Sequence, residues 1–238
     1  MNSNRNVMVT GGNKGIGAAI VKKLSEAGYT VIATFNLKEP DKPFQNVIYK
    51  KLDIRNGAAC KVLLTELTKD KLFPSILINN AGITKDQMFH KMTEEQWKDV
   101  LATNLFALFN ITQPIYSEMR ANSFGRILNI SSVNALKGQM GQVNYCASKA
   151  GIIGFTKALA LEGASFGVTV NTISPGYTAT DMVATIALDI RKKIESSIPL
   201  GRFSRPEEIA SFVKYLISDD ASYISGANLN INGALHLA

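Results

Sequence analysis

Cysteine is scarce: the 238 residues hold only Cys60 and Cys146. Two thiols cannot make the bridged framework of a small secreted domain, and they fit a reduced, cytoplasmic protein. Histidine is equally rare, at His90 and His236. The two lie far apart in the chain, so no metal site is expected. No apolar run approaches the ~20 residues of a membrane helix. The polar start at residues 1–6 and the short apolar run at 7–10 do not make a signal peptide. Linkers, low-complexity tracts, charge blocks and repeats of 20–50 residues are also missing, which predicts one domain over residues 1–238.

What is present is globular. Apolar residues make up 46 % and charged residues 19 %, outside the range of disordered or fibrous chains. Lys and Arg number 26 against 19 Asp and Glu, a net charge of +7. That balance suits an acidic partner such as a phosphorylated cofactor, an acyl thioester of coenzyme A or an acidic carrier protein. Nucleic acid is not expected, because no aromatic-rich basic stripe or zinc-ligand spacing accompanies the charge.

Short apolar runs alternate with helical periodicity along the chain. Residues 7–10, 29–35, 47–52, 76–78, 127–130 and 168–173 read as strands. Residues 15–27, 58–72 and 144–166 read as helices, the first with Ile16, Ala19, Ile20 and Leu24 at steps of three and four. Gly28 is placed to end that helix. Thr93 with Gln96 reads as a capping box. Pro206, followed by Glu207 and Glu208, reads as the first turn of another helix. Strands separated by helices of this length predict βαβ crossovers and a doubly wound parallel sheet with helices on both faces. Residues 177–204 are the least patterned stretch, longer than an ordinary connection, and read as a lid over a site.

Between the first strand and the first helix runs Thr10-Gly11-Gly12-Asn13-Lys14-Gly15-Ile16-Gly17. Glycine lets backbone approach a pyrophosphate without a Cβ in the way, and the helix start offers free N–H groups and a positive dipole end. The spacing is GxxxGxG rather than GxGxxG, but it has the strand–turn–helix context that gives such a motif weight. An NAD site of this kind carries an acid at the end of the second strand. Here that place reads Thr34-Phe35-Asn36-Leu37-Lys38, with no carboxylate before Glu39. The missing acid, with Lys14 and Lys38 nearby, favours a 2′-phosphate and hence NADP.

Tyr145 and Lys149 stand four apart at the start of the long helix, one turn apart on one face. A free tyrosine has a pKa of about 10. A neighbouring ammonium favours the phenolate, so the pair can exchange a proton near neutrality. Ser131 and Ser132 follow the strand at 127–130, and strand ends are where such sheets place ligands. A serine there can hydrogen-bond a substrate carbonyl. Asn104 sits within a helical stretch where an amide has poor propensity, and it can hold a water or a backbone carbonyl.

Taken together, TGGNKGIG (10–17), NNAG (79–82), Asn104, Ser132, YCASK (145–149) and Pro175-Gly176 resemble the short-chain dehydrogenase/reductase family, in the family's order and over nearly the whole chain. The resemblance implies a single Rossmann-like domain with a seven-stranded parallel sheet, and a homotetramer. It implies that Tyr145 is the general acid, Lys149 binds the nicotinamide ribose and lowers the Tyr145 pKa, Ser132 orients the carbonyl, and Asn104 positions a water. For the cofactor it implies the loop residues Gly11, Asn13, Lys14, Gly15, Ile16 and Gly17, then Asn36 and Lys38, Asp53 at the adenine, and Asn80, Ala81 and Gly82 beside its ribose. Pro175, Gly176, Thr178 and Thr180 fall at the carboxamide and pyrophosphate end. Within the family, SSVNALKGQMGQVNY (131–145), SPGYTATDM (174–182) and NGALH (232–236) look similar to the acetoacetyl-CoA-reducing members of polyhydroxyalkanoate synthesis. That likeness implies NADPH-dependent reduction of a 3-oxoacyl-CoA, with Gln139, Met140, Gln142 and Tyr177 lining the acyl pocket. The alternative in the same family is reduction of 3-oxoacyl-acyl carrier protein, for which Arg191, Lys192, Lys193, Arg202 and Arg205 offer a docking patch, the same residues being equally placed to contact the phosphates of coenzyme A. A non-catalytic NADP-binding regulator is a further alternative, but Tyr145 and Lys149 are both retained.

Overall fold

The computed structural model describes residues 5–41, 43–180 and 187–237. The six apolar runs become strands β1 (Asn6–Val9), β2 (Thr30–Phe35), β3 (Val47–Lys51), β4 (Ile76–Asn79), β5 (Gly125–Ile130) and β6 (Val168–Pro175). A seventh, β7 (Asn228–Ile231), closes the order 3-2-1-4-5-6-7, and every pairing is parallel. Strand β7 left little trace in the sequence. It is an edge strand of alternating Asn-Leu-Asn-Ile, only partly buried along its length. Strands β4, β5 and β6 are buried throughout, as a parallel sheet covered on both faces requires.

Helices α1 (Gly15–Glu26), α2 (Gly57–Lys69), α3 (Glu94–Leu101), α4 (Ala107–Ala121), α5 (Asn134–Lys137), α6 (Val143–Gly163), α7 (Leu188–Ser197) and α8 (Pro206–Leu216) complete the layers. Alternation along β1 divides the core. Val7 and Val9 join Ile20 and Leu24 of α1 and Val213 and Leu216 of α8 on one face, while Met8 joins Leu63, Leu67, Ile111 and Ile115 on the other. The Thr93–Gln96 capping box forms as expected. Helix α6 starts one residue earlier than its pattern suggested and gives way to a 3₁₀ turn at Ala164–Phe166.

The fold brings every strand's carboxyl end to one edge of the sheet. The order reverses between β1 and β4, the switch point where such sheets bind ligands. The glycine loop, the Asn79-Asn80-Ala81-Gly82 turn, Ser131-Ser132 and Pro175-Gly176 all leave strands at that edge. The stretch read as a lid contains α7, which rests on a small separate cluster of Ile198, Phe203, Tyr177, Ile194 and Leu235. Asp181 and Met182, and the rest of that stretch through 186, lie outside the described residues.

Candidate active site

The glycine loop forms one wall. Gly11 has φ of +63°, a left-handed conformation that glycine adopts freely. A Cβ on Gly17 would lie 2.1 Å from the Gly11 carbonyl oxygen, so the loop and helix touch backbone to backbone. Helix α1 begins at Gly15 with no side-chain cap and no acid in its first turn. Its free N–H groups and dipole therefore face the cleft unneutralised. Lys14 is exposed at that N-cap position. Thr180 reaches the same loop: a methyl on Gly15 would sit 3.4 Å from its Cγ2. These features fit the pyrophosphate of a dinucleotide.

The loop is tied to the β4 end by Thr10, a residue the sequence reading did not single out. Its hydroxyl accepts from the N–H groups of Asn80 (3.0 Å) and Ala81 (3.1 Å), while Asn80 Nδ2 donates to the carbonyls of Thr10 and Gly11, both at 3.0 Å. Asn13 donates to the Lys38 carbonyl at 2.9 Å. Lys38 pairs with Asp41 at 2.7 Å, so a 2′-phosphate there would compete with a carboxylate. Asp53 is held by Arg55 at 2.6 Å, with Asn36 close by, and the guanidinium keeps its carboxyl below the usual range.

The opposite wall is built of side chains. Lys149 is only 4 % exposed, and its Nζ donates to the Ile130 carbonyl at 2.7 Å. Burial lowers its pKa to about 8. The Tyr145 ring lies beside it, 5.7 Å from centroid to Nζ. Burial raises the Tyr145 pKa, and Ser132 beside the phenol works against that rise. Ser132 Oγ also accepts the Asn134 N–H at 3.1 Å. Ser131 points elsewhere, donating to the Lys149 carbonyl at 2.8 Å.

Asn104 is not an exposed helix residue but is 2 % exposed inside a π-helical turn, Ala102–Phe106. The wider turn frees its amide to grip Ile83 twice: Nδ2 to the carbonyl at 3.0 Å and Oδ1 from the N–H at 2.8 Å. Its Nδ2 also donates to Ser148 Oγ at 3.1 Å. A Cβ on Gly82 would come within 3.2 Å of Asn104 Oδ1 and 3.4 Å of Lys149 Nζ, so the two walls meet there.

The residues read as an acyl pocket separate into two groups. Tyr177 donates to Gln139 Oε1 at 3.4 Å and meets Phe203 edge-on at 6.1 Å, while Met140 is 80 % exposed. Gln142 is bonded at both ends of its amide: Nε2 to Asp86 Oδ2 at 2.7 Å and Oε1 from Asn134 Nδ2 at 2.9 Å. Thr178 bonds Ser204 at 2.8 Å. Pro175 ends β6 and, with Gly176, closes the wall against β7 through the Gly176 N–H and the Ile231 carbonyl at 2.8 Å. A cavity of about 550 Å³ shares Tyr177 with this region, but none of Ser132, Tyr145 and Lys149 lines it. Among the described residues, no group of three or more His, Cys, Asp or Glu side chains gathers to hold a metal ion. No described helix is long and apolar enough to cross a membrane.

A doubly wound sheet with a glycine-rich first turn and a buried Tyr–Lys pair at its carboxyl edge defines a nicotinamide-dependent oxidoreductase. The family described as short chain dehydrogenase matches residues 5–191, and the chain belongs to it. It is 49 % identical over 234 residues to an acetoacetyl-CoA reductase of Shinella zoogloeoides, covering 96 % of this chain and 97 % of that one. Another acetoacetyl-CoA reductase, from Rhizobium meliloti (strain 1021), is 48 % identical over 98 % of this chain and 99 % of its own. A 3-oxoacyl-[acyl-carrier-protein] reductase, FabG of Aquifex aeolicus (strain VF5), is 43 % identical over 96 % of both chains.

Proposed function

We propose that this protein reduces 3-oxoacyl thioesters with NADPH, and that its substrate is acetoacetyl-CoA, converted to 3-hydroxybutyryl-CoA. The observation that carries the reading is the Ser132–Tyr145–Lys149 cluster at the carboxyl edge of the sheet, in a chain nearly half identical to acetoacetyl-CoA reductases. The bound nicotinamide supplies the hydride. Tyr145 gives its phenolic proton to the carbonyl oxygen, and Ser132 orients that oxygen. Lys149 holds the ribose and, as a cation beside the ring, stabilises the phenolate left behind. Asn104 anchors the Ile83 backbone and keeps a water within reach of Lys149. The absence of an acid after β2, with Lys14 exposed at the helix start, supports NADP over NAD.

Reduction of the same acyl group on carrier protein is the second reading, supported by the resemblance to FabG. The basic set expected to dock a carrier is partly committed elsewhere. Arg202 forms a two-pronged pair with Glu208 at 2.7 and 2.8 Å, Arg205 approaches the same carboxylate, and Arg191 lies over the Phe203 ring. Helix α6 presents Leu161 to solvent, and the end of the π turn and the first turn of α4 present Phe106 and Phe109. Such apolar exposure supports a homotetramer. Both cysteines are free, in keeping with a reducing cytoplasm, and the likeness to acetoacetyl-CoA reductases supports a place in polyhydroxybutyrate synthesis. The test is oxidation of NADPH followed by absorbance with acetoacetyl-CoA and acetoacetyl-carrier protein in parallel. A higher kcat/KM for the coenzyme A ester is expected. A preference for the carrier-bound ester selects the second reading, and turnover of neither overturns both.

A further inference from the structure

Asn110 lies in the first turn of α4, although an amide has poor helix propensity. Its side chain reaches away from its own helix. Nδ2 donates to the Ile54 carbonyl at 3.0 Å and to the Arg55 carbonyl at 3.1 Å, in the loop that follows β3. Its Oδ1 faces the start of α2, where a Cβ on Gly57 would lie 3.0 Å away. Carbonyls only accept, so the two bonds fix which way round the amide sits. The neighbouring Ile111 and, one turn on, Ile115 are fully buried in the core, so the amide is carried on a firmly packed helix.

Asn110 grips two consecutive peptide units, and the N–H of each turns back to Asp53. A peptide is planar and trans, so holding its oxygen also aims the N–H on its opposite side. The unit with the Ile54 carbonyl carries the Arg55 N–H, which donates to Asp53 Oδ1 at 3.0 Å. The unit with the Arg55 carbonyl carries the Asn56 N–H, which donates to the Asp53 carbonyl at 3.0 Å. The Arg55 guanidinium completes the hold, with Nε to Oδ1 at 3.0 Å and Nη2 to Oδ2 at 2.6 Å. These donors leave one of the carboxylate's roughly four acceptor places for a ligand. Asp53 stands past the end of β3, where the Leu52 N–H ties that end to the Phe35 carbonyl of β2 at 2.7 Å. The loop after β2 is in turn held by Asn13 of the glycine loop. An acceptor at that place suits the exocyclic amino group of an adenine, which donates. We propose that Asn110 is a positioning residue for the dinucleotide: it sets the two peptides that orient Asp53 toward the adenine. The inference rests on the NADPH reading above and extends it to a residue of α4 that lies outside both walls of the cleft.

The test is a double-mutant cycle in the full chain, read by calorimetry with 2′,5′-ADP, the adenosine end of NADP. Asp53→Ala is expected to weaken this probe about tenfold, as loss of a bond to a charged group does. Asn110→Ala is expected to weaken it about fivefold, the scale of one net hydrogen bond. The double variant is expected to bind as Asp53→Ala does, because residues that act through one another are not additive. In turnover the KM for NADPH should rise in Asn110→Ala, with kcat at saturating NADPH kept. Parent-like binding in Asn110→Ala would overturn the proposal. So would losses that add in full, which a general loosening of the loop would give. Should Asn110→Ala fail to fold, Asn110→Ser, whose hydroxyl reaches one carbonyl at most, enters the same cycle under the same criteria. If the parent binds 2′,5′-ADP but reduces no 3-oxoacyl thioester, the reductase reading fails by itself and the cycle still decides the role of Asn110. If the parent binds 5′-AMP and not 2′,5′-ADP, the NADP reading fails and the cycle is read with 5′-AMP. A parent that binds neither overturns both.

Discussion

The two walls of the cleft are made in opposite ways. The β1 wall works by what it omits: Gly11 and Gly17 have no Cβ, and helix α1 has no side-chain cap and no acid in its first turn. The β5–α6 wall works by what it adds, a set of buried amides, hydroxyls and one ammonium, most of them bonded to a neighbour. Behind it Asn79, Asn129, Thr156 and Thr172 link three strands to α6 through side chains at 2.7–2.8 Å. The first wall presents backbone to an anion. The second fixes the orientation of groups that must exchange a proton. A protein can make a binding surface by deleting atoms, but a reacting one needs side chains that hold each other still.

If that contrast is right, substitutions on the two walls fail differently. The largest effect belongs to Tyr145→Phe, which removes only a transferable proton. It should lower kcat by about 10²–10⁴ while NADPH binding, read by nucleotide fluorescence, is kept. Parent-like turnover would sink the assignment. Gly17→Ala should do the reverse. Its new methyl meets the Gly11 oxygen, so stability should fall by at least about 2 kcal/mol and nucleotide binding with it, as urea titration and binding isotherms will read. A stable, tightly binding Gly17→Ala protein would erase the distinction between the walls.

Smaller effects sharpen the contrast. Lys149 has its pKa lowered to about 8 by burial, so its charged form is penalised in the fold. The sign follows: the cost is full below pH 8, shrinks as pH rises toward the unfolded value, and is gone above it. Lys149→Met should therefore be inactive yet more stable than the parent at pH 7 by about 1–3 kcal/mol. Parallel denaturant curves should close that gap by pH 10.5. A Met variant less stable at pH 7 would show that the bond to the Ile130 carbonyl outweighs the burial cost. The mildest change is Lys14→Ala, expected to weaken NADPH about tenfold while leaving NADH nearly unaffected, since a single exposed charge pair is involved. Equal loss for both would move Lys14 away from the 2′-phosphate.

The same contrast explains what was legible in the sequence. Glycines at 11, 15 and 17 act over a few residues, and Tyr145 and Lys149 share one helical turn, so both motifs are readable from the chain alone. So are strands β1, β2, β4, β5 and β6, whose burial makes them near-continuous apolar runs, and the half-buried β3. The polar wall was not readable. Asn104 finds Ile83 21 residues away and Ser148 44 away, and Asn79 finds Asn129 50 away. No spacing rule connects them until the sheet order is known. Strand β7 escaped for a related reason: an edge strand that is half exposed need not be apolar. The pocket residues Gln139 and Gln142 were visible as polar residues near Tyr145, but not the partners that occupy their amides.

The π turn at Ala102–Phe106 joins α3 to α4 within one continuous helical rod. Such a turn holds one residue more than the regular helix it interrupts. A deletion of a single codon there would produce a smoother helix with better backbone bonding. It would also rotate everything before it by about 100°, swinging Asn104 off Ile83 and Val100 out of the core. The irregularity is thus a commitment of register: a more regular helix lies one mutational step away, and taking that step would disassemble the cleft.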